Sequence, residues 1–256
     1  MDRAFRQGYL DIAFPTDPFH SPPRLLLRAL RVFFANIGLI ATATLAVFLP
    51  GKFALQWIAW LFDVPKGGIS AYLIQGAGDL LFSSLAIPAI VYGLIHYFET
   101  GRPAALRDCL RWGRRQWLRT LWTQVKVEIT VTLWAALLIV PGFFAMVRLA
   151  FAPIVAAVEG SREPAILARS AALAQGRRWR IFFVLAPLMI LDLVVPFLVL
   201  GRVEAATTSR ALFALADCAL AVTAQLTTVA TLLMYLGTAQ NRVTKLKPCR
   251  SKPKAS

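Results

Sequence analysis

VFFANIGLIATATLAVFLPG, residues 32–51, contains no Asp, Glu, Lys or Arg. Its twenty residues would make a helix of about 30 Å, the thickness of a bilayer's hydrocarbon core. The run is not alone. Leu80–Phe98, Ile129–Val147 and Cys218–Gln240 are equally free of those four residue types, and Ile181–Gly201 carries only Asp192. Of 256 residues, 58% are apolar and 16% charged, against roughly 25% charged in an average soluble domain, and the mean hydropathy is +0.62. A soluble fold of this length could not hide so much apolar surface. The expected fold class is all-α: a polytopic membrane helix bundle with about six transmembrane helices and two basic interfacial helices.

The net charge of +15 would raise nucleic-acid binding first in a soluble protein, but its placement argues for a membrane. Of 28 Lys and Arg, five fall in residues 1–31, seven in 99–126, five in 159–180 and six in 240–256. Lys52, Lys66, Arg202 and Arg210 are spread over the other connections, and Arg148 sits among apolar residues. Basic connections alternating with nearly neutral ones follow the positive-inside rule, which puts both termini in the cytoplasm. The partners this implies are anionic lipid headgroups and not nucleic acid.

Residues 1–31, with Pro15, Pro18, Pro22 and Pro23, read as a cytoplasmic lead-in without a cleavable leader. The first crossing is expected over 30–50. KFALQWIAWLF then suits a helix end or interfacial turn, with Trp57 and Trp60 at headgroup level. Residues 69–98 form the second crossing, with Pro88 as a source of a kink. In the basic segment after it, Leu106, Leu110, Gly113, Trp117 and Leu121 share one helical face, and Arg107, Arg111, Arg114, Arg115 and Arg119 another. That is the pattern of a helix lying in the interface, although a solvated loop helix would carry the same charges. Residues 122–160 must cross an even number of times, because basic segments flank them. The Pro141-Gly142 pair divides them into two short crossings or a re-entrant hairpin. Crossings five and six are expected over 179–200 and 211–237. One transmembrane domain thus covers 1–240, followed by a basic, disordered tail over 241–256.

An internal repeat is suggested where GRPAALRDCLRWGRRQW from Gly101 aligns with SREPAILARSAALAQGRRW from Ser161. Pro103 and Pro164 would each occupy the first turn of a helix. Arg169, Arg177 and Arg178 then stand in the second copy as Arg107, Arg111, Arg114 and Arg115 do in the first, all candidates for headgroup phosphates.

No catalytic constellation is present. His20 and His96 lie in no metalloprotease pattern, and there is no nucleophile elbow, P-loop or dinucleotide fingerprint. Cys109, Cys218 and Cys249 have neither disulfide nor metal-site spacing, so no cofactor and no metal are expected. The more informative residues are charges inside apolar runs, since each costs at least about 2.5 kcal/mol near the bilayer centre unless paired or hydrated. Asp79, Arg148, Asp192 and Asp217 are the candidates for a buried charge network, with Glu128 and Glu159 nearer the interface. Arginine cannot shed its charge. Asp192 lies about 18 Å along a helix from Arg180, at a depth similar to that of Arg148, and is the first choice for its partner, with Asp217 second.

From Leu137 to Gly160, LLIVPGFFAMVRLAFAPIVAAVEG, and on through EPAILARSAALAQGRRWRIF, the chain resembles a bacterial family. It is similar to the membrane domain fused to some glycerophosphoryl diester phosphodiesterases and to the stand-alone YciC-like inner-membrane proteins. Pro141, Gly142, Arg148, Pro153, Glu159, Ala165, Arg169, Ser170, Leu173, Gly176 and Trp179 carry the likeness. The resemblance implies a six-helix domain of the bacterial inner membrane; the catalytic barrel has no counterpart here. The function expected is therefore a non-enzymatic membrane module that binds or organises lipids or a partner protein. The alternative is a small-solute or lipid transporter or channel, for which a repeat and buried charges are the usual pointers.

Overall fold

A computed structural model describes residues 22–62, 69–159, 163–206 and 210–246, and every element among them is a helix. These are α1 (Pro22–Ala35), α2 (Ile37–Leu61), α3 (Ile69–Thr100), α4 (Leu106–Leu137), α5 (Ile139–Leu149), α6 (Ala152–Glu159), α7 (Glu163–Ala174), α8 (Arg178–Ala206) and α9 (Arg210–Leu246). Five stretches are long and apolar enough to cross a membrane: Ile37–Leu61, Leu73–Thr100, Pro141–Glu159, Arg178–Leu200 and Ala211–Thr238.

The lead-in is partly helical. Pro22 and Pro23, read above as turn residues, open α1, where a missing N–H costs nothing. Leu25, Ala29 and Phe33, spaced by four, are its buried face, and α1 packs on α9 and α8. At the other end α9 continues to Leu246, so residues 241–246 extend the helix. Residues 247–256, and with them Cys249, lie outside the described residues, as do His20 and Lys66.

The basic segment and the expected third crossing are one unbroken helix, α4, packed along α3. Its buried stripe is Cys109, Gly113, Thr120, Thr123 and Gln124, smaller and more polar than the leucine face expected from periodicity. Close approach is the reason. A Cβ on Gly113 would stand 2.8 Å from the Leu85 carbonyl oxygen, and one on Gly93 would stand 3.2 Å from Cys109 Sγ. Small residues let membrane helices pack backbone to backbone, where leucines would hold them apart.

Residues 122–159 form a helical hairpin. Its turn falls at Leu138, which is extended (φ −158°, ψ 133°), three residues before the Pro-Gly pair. Pro141 and Gly142 instead lie in the first turns of α5, and a Cβ on Gly142 would press on the Ala135 backbone at 2.7 Å. Two backbone hydrogen bonds span the turn: Leu138 N donates to Trp134 O at 3.0 Å and Gly142 N to Leu138 O at 3.2 Å. Leu133, Trp134, Leu137, Leu138, Phe143 and Phe144 make an exposed apolar tip. The returning arm, α5 and α6, bends at Ala150 and Phe151.

The two aligned basic segments are not structural copies. Pro103 precedes α4 and lies outside its first turn, whereas Pro164 is the second residue of α7. Gly113 sits inside a continuous helix, while Gly176 adopts φ +77° in the turn between α7 and α8, a conformation that favours glycine.

Candidate functional site

Two groups of polar side chains stand out, one buried and one open. The buried one centres on Lys52, read above as part of an outward connection. Pro50 and Gly51 do not end α2. The helix runs through them to Leu61 and carries Lys52 into the bundle, where it is 2% exposed. Its Nζ lies 2.5 Å from Asp79 Oδ1 on α3 and 2.6 Å from Asp217 Oδ2 on α9. Gln75 Nε2 donates to the same Asp217 oxygen at 2.9 Å.

Glycine makes this meeting possible. A Cβ on Gly51 would run into the Phe82 ring and one on Gly78 into Leu55, so α2 and α3 approach closely on either side of the lysine. By residue count, Lys52 is about 14 Å from the end of α2, Asp79 about 15 Å from the start of α3 and Asp217 about 10 Å from the start of α9. The three charges share one level. Asp217 is nearly enclosed, its side chain 12% exposed, whereas that of Asp79 is 48% exposed. One cation faces two carboxylates, so the group sums to one negative charge.

The expected charge network is therefore assembled differently. Asp79 and Asp217 do come together, but through Lys52. Asp192 stands apart and accepts a hydrogen bond from Thr227 Oγ1 at 2.6 Å. Arg148 pairs with neither Asp192 nor Asp217 and is exposed. Asp217 is taken by the lysine, and Arg148 lies on an exposed side of α5.

Arg148 instead lines an open cleft of about 510 Å³ between α4, α5, α7 and α8. Arg178 joins it there, with Thr130, Trp134, Phe144 and Leu167 among the walls. Neither arginine makes an ion pair with a described residue. Beside the cleft, Trp179 meets Phe144 and Phe182 edge to face, at centroid distances of 6.3 and 6.0 Å.

Below the cleft the backbone is pinned. Ser170 Oγ donates to the Arg148 carbonyl at 3.0 Å, tying α7 to α5. Glu159 accepts from Tyr235 Oη at 2.8 Å and from Arg169 Nε at 3.3 Å. Arg169, expected to face headgroups, is thus engaged with Glu159, and Arg177 is half-buried. Arg107, Arg111, Arg114 and Arg115 are exposed along α4.

The cleft was hidden from sequence reasoning because its walls come from four helices; the only signal was one arginine in an apolar run. Lys52 gave an equally plain signal, a lone charge with apolar residues on both sides, masked by the Pro-Gly before it. No family model, curated protein or solved structure matches the chain.

Proposed function

We propose that this protein is a non-enzymatic, multi-pass module of the bacterial inner membrane that binds an anionic lipid headgroup in the cleft of Arg148 and Arg178. One observation carries the reading: two guanidinium groups without an ion-pair partner among the described residues converge in an open cleft with aromatic walls. Arginine matches phosphate geometry with paired N–H donors, and tryptophan and phenylalanine suit the boundary between headgroup and acyl chain. Several residues of the family resemblance, Pro141, Arg148, Glu159, Arg169 and Ser170, line or brace this cleft, which favours a shared use of the site. In the topology that accompanies the proposal, the α4–α5 hairpin supplies crossings three and four of six, and both termini are cytoplasmic.

The test is native mass spectrometry of the full chain released from mild detergent. An anionic phospholipid should be retained at fixed stoichiometry in preference to phosphatidylcholine. Arg148→Gln combined with Arg178→Gln should weaken that retention at least tenfold, whereas Arg107→Gln with Arg111→Gln should change it little. Equal retention by the double variant would overturn the reading.

A second reading, transport of a small solute or lipid, is favoured by the unbalanced charge of the Lys52 group and the open side of Asp79. Solute flux in liposomes, lost in Asp79→Asn, together with no retained lipid, would put it first.

A further inference from the structure

A second, smaller pocket of about 50 Å³ lies between α3, α4 and α6 and shares no residue with the arginine cleft. Three aromatic rings line it. Tyr92 stands near-parallel to Trp112 (5.5 Å, 24°) and to His96 (6.3 Å, 18°). The indole Nε1 of Trp112 donates to the Ala157 carbonyl on α6 at 3.3 Å, which orients the ring. Into the same pocket comes Glu99, whose Oε1 is buried and receives no hydrogen bond from a described residue.

Each feature selects the same kind of guest. A buried carboxylate oxygen without a donor is costly to leave unsatisfied. Aromatic faces attract cations and repel anions. The space exceeds the roughly 10–15 Å³ that one water needs, so a group larger than a single water fits. A quaternary ammonium would bring charge but no N–H. A primary ammonium brings both, and so satisfies the oxygen and the rings together. The pocket also lies in the last turns of α3, at the end of the helix that leads into the basic segment, where headgroups are within reach.

We propose that Tyr92, His96, Glu99 and Trp112 form a binding site for a primary ammonium group, supplied either by an aminophospholipid headgroup or by a free alkylamine. Saturation-transfer NMR on the full chain in maltoside micelles, titrated with ethanolamine, choline and acetate, tests it. Ethanolamine should saturate, choline should bind at least several-fold more weakly, and acetate should not bind. Glu99→Gln, which keeps shape and removes charge, should weaken ethanolamine at least tenfold. Tyr92→Phe should retain binding and Tyr92→Leu should lose it, while Arg148→Gln should leave it unchanged. The source is read by native mass spectrometry with short-chain phosphatidylethanolamine and phosphatidylglycerol. Preferential retention of the amine lipid, sensitive to Glu99→Gln, assigns a headgroup, and saturation by ethanolamine alone assigns a free amine. Choline binding as tightly as ethanolamine, binding untouched by Glu99→Gln, or no saturation by any amine would overturn the proposal and leave a water-filled pocket.

Discussion

Deleting the amine of Lys52 leaves Asp79 and Asp217 facing one another with no other cation paired to either among the described residues. Removing one member of a buried ion pair costs about 3–5 kcal/mol, because the remaining charge keeps its desolvation and loses its partner. Lys52→Met should therefore lower the yield and thermal midpoint of the folded protein sharply. Adding Asp79→Asn and Asp217→Asn should restore most of the loss, since neutral amides need no counter-charge. A triple variant no more stable than Lys52→Met would show that the lysine acts through packing. A second residue makes a chemical prediction. Cys109 is fully buried against α3, and burial, with the nearby Asp108 carboxylate, pushes its thiol up to about 11. The thiolate is the reactive form, so at pH 7.5 only about one thiol in several thousand is available. In a variant keeping Cys109 as its sole cysteine, maleimide labelling should be negligible at pH 7.5 in the folded protein and rapid after denaturation. Rapid labelling of the folded state would mean that α3 and α4 separate readily.

Between elements, contact distance decides what glycine is worth. At Gly113 a methyl group would strike the Leu85 carbonyl, so Gly113→Ala should destabilise by about 1–3 kcal/mol as α3 and α4 are pushed apart. Gly76 meets nothing within 4 Å, and there the same change should be neutral or stabilising by up to about 1 kcal/mol through helix propensity. Thermal unfolding of the two variants in one detergent gives the comparison, and equal effects would deny the close packing. The contrast also shows what was legible. Apolar length announced α2, α3, α8 and α9, because a crossing helix is defined by its own residues. The α3–α4 interface was not legible, because Gly113 and Cys109 matter only through the carbonyl and thiol contacts that a partner helix brings. The Pro-Gly pairs misled in both places for one reason: proline interrupts a hydrogen-bond ladder but also starts one. Pro50 is carried within α2, and Pro141 opens α5 after the chain has already turned at Leu138.

For the whole molecule, apolar length announced a multi-pass helical chain, whereas the partners of its buried charges were not legible. Asp79 and Asp217 were visible as lone charges, but their meeting at Lys52 depends on three helices reaching one level, which no local pattern encodes. The proposed topology makes a separate prediction. Reporter fusions after Lys66, Gly101, Gly160, Arg202 and Ser256 should read outside, inside, inside, outside and inside. Opposite signals at Gly101 and Gly160 would mean that the α4–α5 hairpin does not return, and external signals at both would invert the molecule.

The turn at Leu138 bears on how such a chain is built. Most polytopic proteins must carry a polar loop through the bilayer for every pair of crossings, which is a large part of the barrier to insertion. Here the reversal is made at a single leucine, whose own amide is bonded to Trp134 O of α4 and whose carbonyl accepts from Gly142 N of α5. Trp134, Leu137, Phe143 and Phe144 lead the way in. In the proposed topology no hydrophilic loop between α4 and α5 has to be translocated. Over residues 122–149 the charged side chains are Lys126 and Glu128 on α4 and Arg148 on α5.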